Sequence, residues 1–156
     1  VVHGRAGVVH GFPGGFRGGV VCVRGNVGGF FISLCGGLFG RVEYRMAEVP
    51  GWAVGKPSGD PTSILWQRLD DDAVIDWPAL GLLCDSAPPP IMELGDLTSM
   101  TVQLTVHFHR LPEPRTWVAS KFTTRHVTDG FHEEDGELWD SNGNLLAQSR
   151  QLAILL

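Results

Sequence analysis

The segment Trp77–Cys84, WPALGLLC, is apolar on every side. As a helix it leaves no polar stripe for solvent, so the rest of the chain must wrap around it. Asp76 stands where it can accept from the free N–H groups of a first turn, and Pro78 is tolerated there because that turn needs no donor. A helix on the outside of a sandwich or a doubly wound sheet would show a wet face. Asp85 interrupts the run, and Ser86, Ala87 and the prolines at 88, 89 and 90 follow it. Three prolines cannot continue a helix unbroken, so a kink is expected, then a resumed turn through Met92 and Leu94 that stops at Gly95.

Beyond this helix the apolar period changes to two. Val102, Leu104, Val106 and Phe108 alternate with Thr101, Gln103, Thr105, His107 and His109, the pattern of a half-buried strand. Further strands are predicted over Trp117–Val127, Phe131–Asp140 and Leu145–Leu155. Asp129-Gly130 and Asn142-Gly143 supply the turn chemistry between them. Ser63–Leu69 reads as a strand ahead of the helix, with Arg41–Glu48 a weaker one before it. Two strands, one enclosed helix and a meander of about four strands make an α+β protein. That order is the hotdog order: an antiparallel sheet wrapped around one central apolar helix.

Composition divides the chain at residue 40. Thirteen of the 21 glycines precede it, with three basic and no acidic residues; residues 41–156 carry nine basic and all 17 acidic residues. So high a share of glycine makes ordering costly and leaves few side chains to pack, so residues 1–40 are expected to be a poorly ordered or artefactual extension. The apolar run Val27–Phe39 is too short to span a bilayer and lacks the layout of a signal peptide. The net charge of −5 argues against nucleic acid as a partner. Cys22, Cys35 and Cys84 show no metal spacing and read as free thiols of a cytosolic protein.

Three runs, LLCDSAPPPIMELG, SMTVQLTVHFHR and DGELWDSNGNLLAQSRQLAIL, resemble the C-terminal half of the double-hotdog type II acyl-CoA thioesterases. The resemblance covers roughly residues 50–156. It implies hydrolysis of acyl-CoA to free fatty acid and CoA, with neither metal nor cofactor nor covalent serine. The water would be held by an Asp, a Thr or Ser and a Gln, and these match Asp85, Thr101 and Gln151. Asp85 would be the general base, in a setting that tends to raise a carboxyl's pKa. Thr101 and Gln151 can each donate and accept hydrogen bonds to the water or the thioester oxygen. Forty glycine-rich residues are too few for a second hotdog, which needs on the order of 70. A homodimer or higher oligomer imitating the double form is therefore expected.

Each candidate also has a plain structural reading. Asp85 can serve as a cap for the turn that resumes at the prolines. Strict alternation turns Thr101 away from the helix, and a bulge or twist at the start of its strand would be needed to re-aim it. Gln151 shares a small-residue face with Ala147, Ser149 and Ala153, where a buried amide needs a partner and Asp85 is the natural one. His107 and His109 share a strand face but lack a third ligand and read as solvated. Cys84 reads as packing, Asp140–Asn144 as a hairpin turn rather than a calcium loop, and Glu133-Glu134-Asp135 as a solvated strand end. A non-catalytic acyl-binding or assembly domain, or an inactive fragment, is the alternative to hydrolysis. A hotdog hydratase ranks below both, since no His lies near Asp85 in sequence.

Overall fold

The computed structural model describes residues 41–70, 73–95 and 98–156, together with the backbone of three strands, β1 (Gly7–Val8), β2 (Val20–Asn26) and β3 (Gly29–Cys35). The rest of the glycine-rich segment, and the expectation that it is poorly ordered, lie outside the described residues. Seven strands follow: β4 (Val42–Met46), β5 (Thr62–Leu69), β6 (Ser99–Phe108), β7 (Val118–Thr123), β8 (Val127–Thr128), β9 (Phe131–Trp139) and β10 (Leu145–Leu155). One α-helix, α1 (Trp77–Leu83), and a 3-10 turn at Pro90–Leu94 lie between β5 and β6.

All pairings are antiparallel, in the order β1-β2-β3-β4-β5-β7-β9-β10-β6, with β8 paired to β9. β5 and β6, the strands that enter and leave the helix, are therefore separated by the whole meander. The chain between them has to cross the concave face, which is the hotdog arrangement expected from element order. β3 joins β4 through Phe30↔Met46, Phe31↔Arg45 and Ile32↔Tyr44, so backbone pairing runs across the compositional break at residue 40.

The helix begins where the sequence places it. Asp76 accepts from Ala79 N at 2.9 Å and Pro78 lies in the first turn. Leu80 and Leu83 are 0% exposed and pack with Tyr44, Leu65, Phe122, Leu138 and Leu146, and Ile91 is equally buried. Each such side chain contributes about 1.5–3 kcal/mol by leaving water. The enclosure is one-sided, however. Trp77 is 44% exposed and meets the ring of Phe108 edge-on at 5.7 Å, while Met100, Val102 and Phe108 leave the β6 edge open. A single hotdog presents a bare strand edge and a half-covered helix flank together.

A buried polar network fixes the far end of α1. Gln67 on β5 donates from Nε2 to the Leu83 carbonyl (3.1 Å) and to Ser120 Oγ (2.8 Å), and its Oε1 accepts from Ser86 Oγ (3.1 Å). The Tyr44 hydroxyl donates to the Ser86 carbonyl at 2.6 Å. Residues 83 and 86 are thus tied to β5 and β4, and the two residues between them are held by their neighbours. The turns behave as their sequences require: Asp129 and Gly130 both take positive φ (51° and 80°), as a tight hairpin from β8 to β9 demands.

Candidate active site

Asp85 is the second residue beyond α1, held between Leu83 and Ser86. Its side chain remains open to solvent, yet the surrounding protein desolvates the carboxyl enough to raise it above the ordinary aspartate value. It does not cap the next turn. The residue at that cap position is Pro89, which makes no side-chain hydrogen bond there.

Gln151 sits on β10 with Ala147, Ser149 and Ala153 on the face that meets the helix. Just before it along this face, the Cys84 thiol lies close to the Ser149 side chain, which places the helix end over β10. Burial pushes that thiol up to about 12, so it remains a packed, protonated SH rather than a nucleophile.

Thr101 reaches this face by the bulge that its strand requires. β10 pairs Leu152 with Gln103 but Ala153 with Thr101, so Val102 is left without a partner. The extra residue shifts the phase of β6 and turns Thr101 to the side of Leu104 and Val106. Gln151 Nε2 donates to Thr101 Oγ1 in a short hydrogen bond. The partner of the Gln151 amide is thus Thr101, where the sequence pointed to Asp85. The structure joins two of the three residues directly and brings the third to the same face without a hydrogen bond to either.

The acidic run at 133–135 is not a uniform solvated strand end. Glu133 accepts from the Arg125 and His126 backbone N–H groups, and Asp135 is clamped by Arg150 (2.6 and 2.7 Å) and Arg125 (2.9 Å), all on the outer face. Glu134 alternates inward, is 6% exposed, and lies directly opposite Gln151 in the β9–β10 register. The alternation of His132, Glu134, Gly136 and Leu138 carries the signal for that inward position, and the charge of the side chain masks it. Gln67, Tyr44 and Ser86, which anchor the stretch around Asp85, carry no comparable signal.

A surface hollow of about 640 Å³ is on the opposite side of the sheet, lined by Trp66, Trp117 and Trp139 among others. It is remote from Asp85 and shares no residue with the candidate site. Among the described residues there is no cluster of His, Cys, Asp and Glu able to hold a metal, and no helix long and apolar enough to cross a membrane.

An antiparallel sheet wrapped around a single helix, with a polar constellation at the helix end, defines a hotdog domain. More particularly, the chain belongs to the acyl-CoA thioesterase C-terminal domain family, whose sequence model matches residues 17–155. A solved protein assigned as a thioesterase II, from Thermobifida fusca YX, is 31% identical and superposes with a TM-score of 0.64, covering 74% of this chain and 46% of that one. A conserved hot dog protein of unknown function from Alicyclobacillus acidocaldarius is 25% identical, with a TM-score of 0.66 and the same two coverages, 74% and 46%. The chain thus spans about half the length of these relatives. A hypothetical thioesterase from Streptococcus pneumoniae TIGR4, solved with coenzyme A, shares the fold at 13% identity and a TM-score of 0.59, covering 72% of this chain and 85% of that one. No curated protein sequence matches.

Proposed function

We propose that this domain hydrolyses acyl-CoA thioesters to a free fatty acid and CoA, using a water held by Asp85, Thr101 and Gln151. The observation that carries this reading is the bulge at Val102, which turns Thr101 onto the inner face and into contact with Gln151 beside the end of α1. Because the Thr101 oxygen accepts from Gln151, its own proton is left to donate, and the Gln151 carbonyl oxygen is left to accept. Asp85 takes a proton from the water as the oxygen adds to the thioester carbon. Thr101 and the second Gln151 N–H stabilise the oxyanion. Collapse breaks the C–S bond, and the departing thiolate recovers the proton from Asp85. The family assignment supports the substrate class, and the fold shared with the CoA-bound streptococcal protein is in keeping with it.

The open β6 edge and the half-covered Trp77 flank support pairing with a second hotdog, as a homodimer or higher oligomer. Thiol release from medium- and long-chain acyl-CoA should fall about 10²–10⁴-fold in Asp85→Asn. Equal rates would remove Asp85 from its role. Absence of release from the wild type would favour an assembly or acyl-binding domain. Light scattering should show an oligomer that Val102→Lys weakens, since an edge lysine opposes strand pairing.

A further inference from the structure

We infer that Glu134 is the carboxyl partner of Asp85, a positioning residue that sets how much charge the inner face of the site carries. This inference rests on the hydrolytic reading above. Glu134 faces inward opposite Gln151, is 6% exposed, and has no hydrogen bond or ion pair among the described residues. Glu93, an equally buried carboxylate, is held quite differently. It accepts from the Gly51 and Ser58 backbone N–H groups at 2.7 and 2.6 Å. The arginines near β9, Arg125 and Arg150, are engaged on the outer face by Asp135.

The groups that face Glu134 offer no positive charge. From the helix end comes Asp85, whose charge acts on Glu134. From β9 itself comes His132, whose ring is held neutral by burial. From the flanking strands come Gln151 and Ser149 of β10 and Phe122 of β7, none of which carries charge. Two carboxyls that share such a patch ionise one after the other, the more exposed one first. Burial, reinforced by the charge on Asp85, pushes Glu134 up to about 8.

At neutral pH the pair then carries one negative charge, on the carboxylate that acts as base. As Asp85 takes its proton from the water, that single charge passes to the thioester oxyanion, which meets two hydrogen-bond donors. Once Glu134 loses its proton, a second charge opposes both the oxyanion and the anionic CoA. Hydrolysis then falls even though Asp85 is fully ionised.

The test is the pH dependence of kcat/KM for acyl-CoA hydrolysis between about pH 6 and pH 10, in wild type and Glu134→Gln, together with a ¹³C-carboxyl NMR titration of wild type and Asp85→Asn. The expected wild-type rate declines about tenfold per pH unit above the Glu134 titration, and Glu134→Gln loses that alkaline limb. A Glu134 that merely packs would leave the limb where it is. A limb retained in Glu134→Gln, or no limb in the wild type, overturns the inference. The NMR arm needs neither activity nor a Glu134 variant. It should show Glu134 titrating near 8 and moving down in Asp85→Asn; titration in the ordinary glutamate range overturns the pairing. A chain that hydrolyses no thioester but shows the raised, Asp85-dependent titration would sink the hydrolytic reading while upholding the carboxyl pair.

Discussion

Replacing Gln67 by Leu tests the most consequential buried contact of the domain. Gln67 is 0% exposed and makes three hydrogen bonds, to the Leu83 carbonyl, Ser120 Oγ and Ser86 Oγ. Leucine fills similar space but satisfies none of them. Each neutral bond contributes about 0.5–1.5 kcal/mol net, and the Leu83 carbonyl, unable to reorient as a hydroxyl can, keeps its desolvation penalty. The expected loss is about 2–4 kcal/mol. At roughly 2–4 °C per kcal/mol for a chain of this size, that is a fall in Tm of about 5–15 °C. Urea unfolding followed by tryptophan fluorescence measures it. Gln103→Leu, on the exposed β6 edge, serves as control and should stay within about 0.5 kcal/mol of wild type. A double-mutant cycle with Ser86→Ala should give a coupling of about 0.5–3 kcal/mol. A Gln67→Leu protein within about 0.5 kcal/mol of wild type, with no coupling to Ser86, would refute the claim that this amide secures the end of α1.

The same packing sets three further outcomes. Gly136→Ala should destabilise the fold by about 1–3 kcal/mol in chemical denaturation, because a Cβ there would come within 2.3 Å of Ser149 Oγ and 2.8 Å of Phe122 Cε1. Tyr44→Phe leaves the buried Ser86 carbonyl without its 2.6 Å donor and should cost about 1–3 kcal/mol by the same assay. Glu134, raised from 4.5 to about 8, stabilises the fold fully below its unfolded value, and that contribution is lost as pH rises through the folded one. Urea midpoints should therefore decline with pH across that window in wild type and more shallowly in Glu134→Gln; parallel profiles would count against a buried neutral Glu134.

Most of the architecture could be read from the sequence because period is a local property. The change from an all-apolar run at 77–84 to alternation at 101–109 marks helix and strand without reference to anything distant, and β10 runs Leu145–Leu155 as its alternation predicts. The site was only half legible, since its geometry depends on pairing. The face of Thr101 is set by a skipped partner between β6 and β10, which no residue near Thr101 announces. Gln67 is one polar letter in a strand, and its three partners lie 16, 19 and 53 residues away. Glu134 misled because its charged neighbours, Glu133 and Asp135, are wet. The helix is also less enclosed than its composition requires, because one sheet covers one flank and leaves Trp77 half open.

The skipped residue in β6 has a bearing on how this strand tolerates changes in length. Pairing makes no use of Val102, so loss of one residue between Thr101 and Leu104 would restore plain alternation while keeping both of those side chains on the inner side. A deletion in the paired run from Leu104 to Phe108 would instead reverse every side chain on one side of the gap. Shortening by one position, ordinarily ruinous in a sheet, is geometrically silent at the two residues between Thr101 and Leu104.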